Sequence, residues 1–323
     1  MMIVPQFWAE GRAQFRERGR QVTVRRFGWS DTSEADARAM ADGRAREALE
    51  AVLSGQKLPR REPKVTYNGA EGVPIREPIL ERRGGTILTR NRYGAQCLNT
   101  PDVMFVDIDP EPYRLPKTIA LAGLVAGAAA VGIGTQSWLV FGAGVILAFF
   151  LASPVSRGVC RLLGIPTQPE ERALRRIRRF FTARPELRAL LYRTPAGFRL
   201  LFTHGRVDPN GPYTAEWFRE LGADRQYAAM CRRQHCFRAR VSPKPWRIGM
   251  DKHLRPHPGV WPVAPKWEPV RNQWIREYEA LATGFASCRF MEALGDGAPH
   301  PETEPVRRWH DELSRAHSGL PIA

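Results

Sequence analysis

Residues 118–156 read TIALAGLVAGAAAVGIGTQSWLVFGAGVILAFFLASPVS, and this stretch decides how the rest of the chain is divided. It contains no ionisable side chain, and its apolar character is interrupted only at residues 135–138. One membrane-spanning helix needs about 20 apolar residues, so this run is too long for a single helix. The sequence predicts two short helices, near residues 118–134 and 138–154, that form a transmembrane hairpin around a tight turn.

Small residues on both predicted helices indicate that the two helices approach each other closely. Gly123 and Gly127 lie in the first helix, and Gly142 and Gly144 lie in the second. Glycine allows two helix backbones to pack tightly in a membrane. The alternative interpretation is a helical hairpin buried inside a globular core.

Basic residues at both outer ends of the hairpin predict its orientation. Arg114 and Lys117 precede it, and Arg157 and Arg161 follow it. Because cytoplasmic ends of membrane helices carry an excess of Lys and Arg, we expect a multi-pass membrane protein with two helices and both termini in the cytoplasm. The lipid bilayer is then a partner of the chain through residues 118–156.

The hairpin interrupts a soluble α+β domain. We expect an N-terminal cytoplasmic part with the first half of the core over 1–116, the hairpin over 117–157, the second half of the core over 158–300 and a C-terminal tail over 301–323. Predicted helices cover 32–53, 169–181, 213–221, 224–233 and 270–282, and predicted strands cover 21–29, 86–89, 103–109, 198–204 and 237–241. The first of these helices is expected to be solvated and to start at a capping box of Asp31 and Glu34. Residues 56–85 are expected to form a loop, and the last 25 residues are expected to be frayed.

The charge balance favours polyanionic partners. Among 323 residues, 49 Lys and Arg face 33 Asp and Glu, which gives a net charge of +16. Such a balance is typical of proteins that meet nucleic acid or anionic lipid, although basic chains without such a partner also occur. The five cysteines have no paired spacing, which argues against a disulfide framework. Cys231 and Cys236 are expected to be small buried apolar groups.

Two carboxylates follow an apolar strand and predict a metal site. Val103-Met104-Phe105-Val106 leads into Asp107-Ile108-Asp109. Side chains i and i+2 of a strand point to the same face, so Asp107 and Asp109 are expected to stand together. Two adjacent carboxylates repel unless a cation lies between them, and Mg²⁺ or Mn²⁺ prefers such ligands. The alternative is a strand end at which aspartate starts the turn before Pro110.

A second strand, Phe198 to His204, follows the turn Thr194-Pro195-Ala196-Gly197 and carries a histidine at its end. Taken with Asp107-Ile108-Asp109, this pattern resembles the archaeo-eukaryotic primase superfamily. That core has an apolar strand ending in Asp-x-Asp, a strand ending in a small or polar residue, any residue and His, and then a third acidic residue. Position 202 is Phe where the family usually has a small residue.

The resemblance implies an RRM-like catalytic sheet with flanking helices and a nucleotidyl-transfer site. Asp107 and Asp109 would hold Mg²⁺ or Mn²⁺, and His204 would contact the phosphates of the incoming nucleotide. Asp224 and Asp251 both remain open as the third acidic ligand.

Basic and aromatic residues supply the predicted substrate contacts. Trp246 lies in a stiff Ser-Pro-Lys-Pro-Trp-Arg loop, where it could stack on a base. Arg90 lies in a polar segment, residues 89–99, that is expected to be a ligand-binding loop. The predicted phosphate contacts are Arg90, Arg193, Arg199, Arg240, Lys244 and Arg247. Surface loops with incidental charges are the alternative for both segments.

The sequence thus predicts a membrane-anchored, metal-dependent nucleotidyltransferase that acts on nucleotides or nucleic acid. The competing hypothesis is a non-catalytic membrane protein whose basic cytoplasmic domain binds nucleic acid, anionic lipid or a protein partner. A metal-dependent phosphoesterase that uses the same carboxylates is a third possibility.

Overall fold

The computed structural model describes residues 4–17, 19–61, 73–110, 115–164, 166, 168–257 and 261–323. The strands are β1 (Phe7–Glu17), β2 (Arg20–Ser30), β3 (Ile79–Arg83), β4 (Thr86–Arg90), β5 (Gln96–Thr100), β6 (Phe105–Ile108), β7 (Ala189–Arg193), β8 (Phe198–Phe202), β9 (Phe237–Arg240) and β10 (Arg289–Leu294). The helices are α1 (Glu34–Leu53), α2 (Leu115–Gly134), α3 (Trp138–Leu162), α4 (Pro169–Thr182), α5 (Pro212–Leu221), α6 (Arg225–Gln234), α7 (Glu268–Ala282) and α8 (Glu304–Ser314). The predicted α+β class is confirmed.

The chain forms two compact units whose limits differ from the predicted divisions. Unit 1 consists of residues 1–107 and 184–323, and unit 2 consists of residues 108–183. Unit 2 therefore contains the basic helix α4 as well as the apolar helices α2 and α3. The prediction had assigned α4 to the second half of the α+β core.

Unit 1 contains three antiparallel sheet arrangements. One is the β1–β2 hairpin, the second has the order β3-β4-β5-β9, and the third has the order β10-β7-β8-β6. The apolar runs that predicted β6 and β8 are completely buried at Phe105, Val106, Leu200 and Phe202. The apolar core of the third sheet therefore comes from the segments that the sequence pattern identified.

Helix α1 packs on the β1–β2 hairpin and is not a solvated helix as predicted. Its alanines at 37, 41, 45 and 48 recur every three or four residues and are buried. A Cβ atom on Gly11 would lie 2.3 Å from the carbonyl oxygen of Ala41, and one on Gly28 would lie 2.2 Å from the Ala41 amide nitrogen. Glycine and alanine together allow the helix to lie directly on the strands, because neither has a large side chain.

The start of α1 also differs from the prediction. Ser33, not Asp31, is the N-cap, and its hydroxyl accepts a hydrogen bond from the amide of Asp36 at 3.0 Å. Asp31 instead accepts a hydrogen bond from the amide of Gln6 at 3.1 Å.

Two further predictions are wrong. The expected loop over residues 56–85 contains strand β3, although residues 62–72, including Pro63, lie outside the described residues. The expected frayed tail contains α8, in which Trp309 and His310 are buried, and the terminal residue Ala323 is only 4 % exposed. An amide–carbonyl hydrogen bond of 2.9 Å joins Ala323 to Ala286. The chain end is therefore part of the fold of unit 1.

In unit 2, α2 and α3 are both long and apolar enough to cross a membrane. The spans Lys117–Gly134 and Trp138–Leu162 have mean hydropathies of 1.6 and 2.1, and only 6 % and 11 % of their residues are buried. Core helices of globular proteins are largely buried, so this exposure disfavours a hairpin inside a globular core. At 1.5 Å per residue, α2 is about 30 Å long, which matches the hydrocarbon thickness of a bilayer.

The second helix continues beyond its predicted end near residue 154. Pro154 lies inside α3, which extends to Leu162. Of the flanking basic residues that predicted the orientation, Arg157 and Arg161 lie in the last turns of α3, Lys117 lies in α2, and Arg114 lies outside the described residues.

Two glycines lie where α2 and α3 are closest. A Cβ atom on Gly144 would lie 2.7 Å from Cβ of Ala128, and one on Gly132 would lie 2.7 Å from Cβ of Phe141. Among the described residues, a Cβ on Gly123, Gly127 or Gly142 would meet no atom within 4 Å. The predicted close approach is thus confirmed at Gly144 alone, and Gly132 was not predicted.

The hairpin contact predicts opposite effects for two neighbouring glycines of α3. Gly144→Ala should destabilise the packing of α2 on α3 by about 1–2 kcal/mol, because the new methyl group overlaps Ala128. Gly142→Ala is the matched control and should be neutral or stabilising by up to about 1 kcal/mol, since alanine favours helix and space is open there. The midpoint of SDS-induced unfolding in mixed micelles measures both changes, and equal midpoints for the two variants would contradict this packing.

Candidate functional site

The register of the third sheet places several functional side chains on one face. Phe290 of β10 pairs with Tyr192 of β7, and Tyr192 pairs with Arg199 of β8. Directly opposed residues of neighbouring strands share a face. Next to β8 lies β6, from which Asp107 contacts Arg199. One row across the sheet therefore contains Phe290, Tyr192, Arg199 and Asp107.

Asp107 and Arg199 form a two-pronged ion pair at the centre of this row. The Arg199 Nε donates to Oδ1 of Asp107 at 2.7 Å, and Nη2 donates to Oδ2 at 3.1 Å. The Arg199 side chain is 3 % exposed and that of Asp107 is 26 % exposed. Burial alone would lower the pKa of Arg199, but the Asp107 carboxylate raises it above its ordinary value. Both oxygens of the first predicted metal ligand are thus bound by a guanidinium group.

Asp224, one of the two candidates for the third acidic ligand, contacts Asp107 through the backbone. The amide of Asp224 donates to the backbone carbonyl of Asp107 at 2.9 Å. Its carboxylate caps α6 and accepts a hydrogen bond from the Tyr227 amide at 2.7 Å. Asp251, the other candidate, is exposed in the segment that follows β9. Asp109 belongs to unit 2.

His204 does not lie with Asp107. Phe202 and Arg199 point to opposite faces of β8, and the His204 ring contacts Phe202, so His204 lies on the opposite side of the sheet from Arg199. It is also five residues beyond Arg199, or about 17 Å of extended chain. Its ring lies against Phe202 and Trp217, with centroid distances of 5.6 and 5.9 Å. Burial lowers the pKa of His204.

This arrangement does not fit a divalent cation shared by Asp107 and Asp224. Arg199 already binds both oxygens of the Asp107 carboxylate, and its positive charge opposes a divalent cation there. Among the described residues, no group of three or more His, Cys, Asp and Glu side chains is placed to hold a metal ion. No metal-dependent step follows from this geometry.

Arg90 is also turned inward. The segment predicted as a ligand loop forms most of the β4–β5 hairpin, and the Arg90 side chain is 3 % exposed. Its guanidinium donates to the carbonyl of Gly94 at 2.8 Å and to the carboxylate of Glu279. Arg90 therefore stabilises the packing of α7 on this hairpin and is buried away from solvent.

Arg199, also predicted as a phosphate contact, is buried in the ion pair with Asp107. The remaining predicted contact residues are partly exposed. Trp246 lies in a short 3-10 helix, Pro245–Arg247, and is 52 % exposed. The Lys244 Nζ lies 5.5 Å from the centroid of its ring, and the ring of Tyr93 meets it edge-on at 5.2 Å. Half-buried positions are taken by Arg193, Arg240 and Arg247. We call Tyr93, Lys244 and Trp246 the aromatic platform.

Sequence analysis missed a polar cluster on the same face as Arg199. Cys288 Sγ lies 3.9 Å from Nε2 of His310, and Nδ1 of His310 lies 3.0 Å from Oδ1 of Asp311. Tyr192 donates its hydroxyl hydrogen to the same Asp311 oxygen at 2.7 Å. The adjacent His310-Asp311 pair was a possible signal, but it lay in the segment that was expected to be frayed.

The ion pair predicts that substituting one aspartate destabilises the protein and that substituting another aspartate does not. Asp107→Asn removes the charge opposite a buried guanidinium, so the free energy of unfolding should fall by about 3 kcal/mol. Asp251→Asn is the matched control at an exposed position and should change it by less than about 0.5 kcal/mol. Denaturant unfolding of both variants measures the difference, and a neutral Asp107→Asn would contradict the importance of the pair.

Calorimetry with Mn²⁺ and a nucleoside triphosphate, on the wild type and on Asp107→Asn, tests the metal hypothesis. If Arg199 keeps its partner, the wild type and folded Asp107→Asn should respond alike. A wild-type binding signal that Asp107→Asn abolishes would show that the carboxylate leaves Arg199 for a cation.

Comparisons with known proteins identified no relative of this chain. No protein-family model, no curated protein and no solved structure matches the chain.

Proposed function

We propose that this chain is a membrane-anchored protein that binds single-stranded nucleic acid through the aromatic platform of unit 1. The observation that carries the proposal is the exposed Trp246 ring with the Lys244 ammonium beside it and Tyr93 against its edge. Every nucleobase can stack on an aromatic ring, and a neighbouring cation can neutralise the adjoining phosphate.

The platform is held rigidly, which lowers the entropic cost of binding. The amides of Arg247 and Ile248 donate to the carbonyls of Lys244 and Pro245 at 2.9 and 3.1 Å. The hydroxyl of Tyr278 lies 2.7 Å from the carbonyl of Pro243, just before the platform. Trp246 is thus presented on a fixed turn of backbone.

The net charge of +16 supports a polyanionic ligand. Arg240 and Arg247 lie within six residues of Trp246 and are half-buried. Their guanidinium groups add phosphate-binding capacity near the platform.

The membrane anchor is the α2–α3 hairpin. Its exposed apolar surface supports insertion in a bilayer. Lys117, Arg157 and Arg161 at its outer ends support an orientation with both termini in the cytoplasm. The exposed Arg175 and Arg179 of α4 add positive charge in unit 2, which favours an anionic lipid surface nearby.

Nucleotidyl transfer is the weaker proposal for the same chain. The backbone hydrogen bond from Asp224 to Asp107 supports it only in that it brings a second acidic residue near the end of β6. The ion pair with Arg199 and the position of His204 on the opposite face argue for binding without catalysis.

The platform predicts a loss of nucleic-acid affinity in one tryptophan variant. Trp246→Ala should weaken binding of a single-stranded oligonucleotide by about 1–3 kcal/mol, because one base loses its stacking surface. The slope of log affinity against log salt should not change, since no charge is removed. Fluorescence anisotropy over a salt series measures both quantities.

Trp267→Ala is the matched control, since Trp267 also lies in a 3-10 helix with a lysine, Lys266, 5.8 Å from its ring. It should bind like the wild type. Equal losses in the two variants, or binding to anionic vesicles but not to the oligonucleotide, would contradict the proposal.

The hairpin predicts how the intact chain partitions. It should stay in the membrane pellet through high-salt and carbonate washes, because apolar insertion is insensitive to charge screening. Protease added outside sealed inverted vesicles should reach both termini. Release by salt alone would indicate electrostatic attachment and no transmembrane hairpin.

A further inference from the structure

Cys288, His310 and Asp311 form a relay that the proposed function does not use. The Sγ–Nε2 distance is 3.9 Å and the Nδ1–Oδ1 distance is 3.0 Å. Each ring nitrogen of the imidazole thus faces one partner, the thiol on one side and the carboxylate on the other. A thiol that can give its proton to a neighbouring histidine becomes a nucleophilic thiolate.

Three neighbours other than His310 fix the Asp311 carboxylate, so it orients His310 firmly. Tyr192 from β7 donates to Oδ1 at 2.7 Å, and Arg307 from α8 donates to Oδ2 at 2.8 Å. His317, beyond α8, lies 3.3 Å from Oδ2. These contacts hold the carboxylate ready to stabilise a protonated His310.

The charges around Cys288 favour its ionised form. Burial opposes ionisation, but His310 and, secondarily, Arg199 from β8 lower the pKa of the thiol below its ordinary value. Burial likewise opposes protonation of His310, whereas Cys288 and Asp311 raise its pKa. In contrast, burial raises the pKa of Cys236 to about 12, and that of Cys231 is raised well above its ordinary value for the same reason.

We propose that Cys288 is an oxidation site for peroxides, with His310 as the proton donor and Asp311 as its positioning residue. The thiolate attacks one peroxide oxygen, so an S–O bond forms while the O–O bond breaks. The sulfur is oxidised to a sulfenic acid and the peroxide is reduced. The hydroxide that leaves takes the proton from His310 and becomes water.

The C-terminal segment, residues 315–323, controls access to this thiol. Cys288 is completely buried, and the chain on both sides of it is bonded to the C-terminal region. The amides of Ala286 and Phe290 donate to the carbonyls of Pro321 and Ala316, each at 3.0 Å. Local opening of this segment exposes the sulfur without unfolding the sheet.

The experiment treats the intact chain in detergent with a low dose of hydrogen peroxide and traps sulfenic acid with dimedone. Mass spectrometry then compares labelling of Cys288 with that of Cys231 and Cys236. Cys288 should label at least tenfold faster than either. Its rate should fall less steeply between pH 8 and pH 6 than the rates of Cys231 and Cys236, because a thiol with a lowered pKa keeps more of its ionised form.

His310→Gln should slow the labelling of Cys288 at least tenfold. His253→Gln is the control, because it removes an exposed imidazole outside the relay, and it should react within threefold of the wild type. If His310→Gln fails to fold, all five cysteines will label together, and the pH profile of the wild type decides instead. Labelling of Cys288 no faster than that of Cys231 and Cys236 at any pH would overturn the proposal.

Discussion

Arg199 joins the two four-stranded sheets of unit 1. Two of its nitrogen atoms bind the Asp107 carboxylate on β6, and the third donates to the backbone carbonyl of Arg240 on β9 at 2.8 Å. The side chain is buried, so its charge depends on these partners for compensation. The compensation of the Asp107 charge and the positive charge near Cys288 both depend on where this guanidinium lies.

The sequence pattern predicted the elements whose local signals were strong. Apolar runs identified β6 and β8, and charge-free length identified the two helices of the hairpin. The strands that escaped prediction are short or carry polar residues. Exposed charged side chains fill most of β3, and β10 alternates exposed and half-buried positions along most of its length. The stability of such strands comes from pairing with distant segments, which a local pattern does not contain.

The candidate site shows the same limit at the level of single residues. Side-chain alternation placed Asp107 at a strand end beside Asp109 and predicted a divalent cation there, but it could not identify the observed partner, Arg199, 92 residues away. The alternation also predicted which face of its own strand His204 occupies, but it could not show how that face is placed relative to Asp107. The cluster of Cys288, His310 and Asp311 forms only where the edge of a strand packs against a helix near the chain end, and a local pattern does not show that contact. The Ala-rich sequence of α1 was interpreted as a solvated helix, because its packing surface becomes evident only with the glycines of the opposing hairpin.

The insertion of unit 2 between β6 and the rest of unit 1 has a consequence for biogenesis. β6 is synthesised before the apolar hairpin, and its neighbour β8 is synthesised after it. The third sheet therefore cannot close until the whole hairpin has left the ribosome. A nascent chain whose hairpin inserts in the bilayer at that moment would be anchored before the soluble core of unit 1 has folded. With the hairpin inserted as proposed, anchoring would precede folding, and the membrane would hold the two halves of unit 1 within one local volume while the sheet assembles.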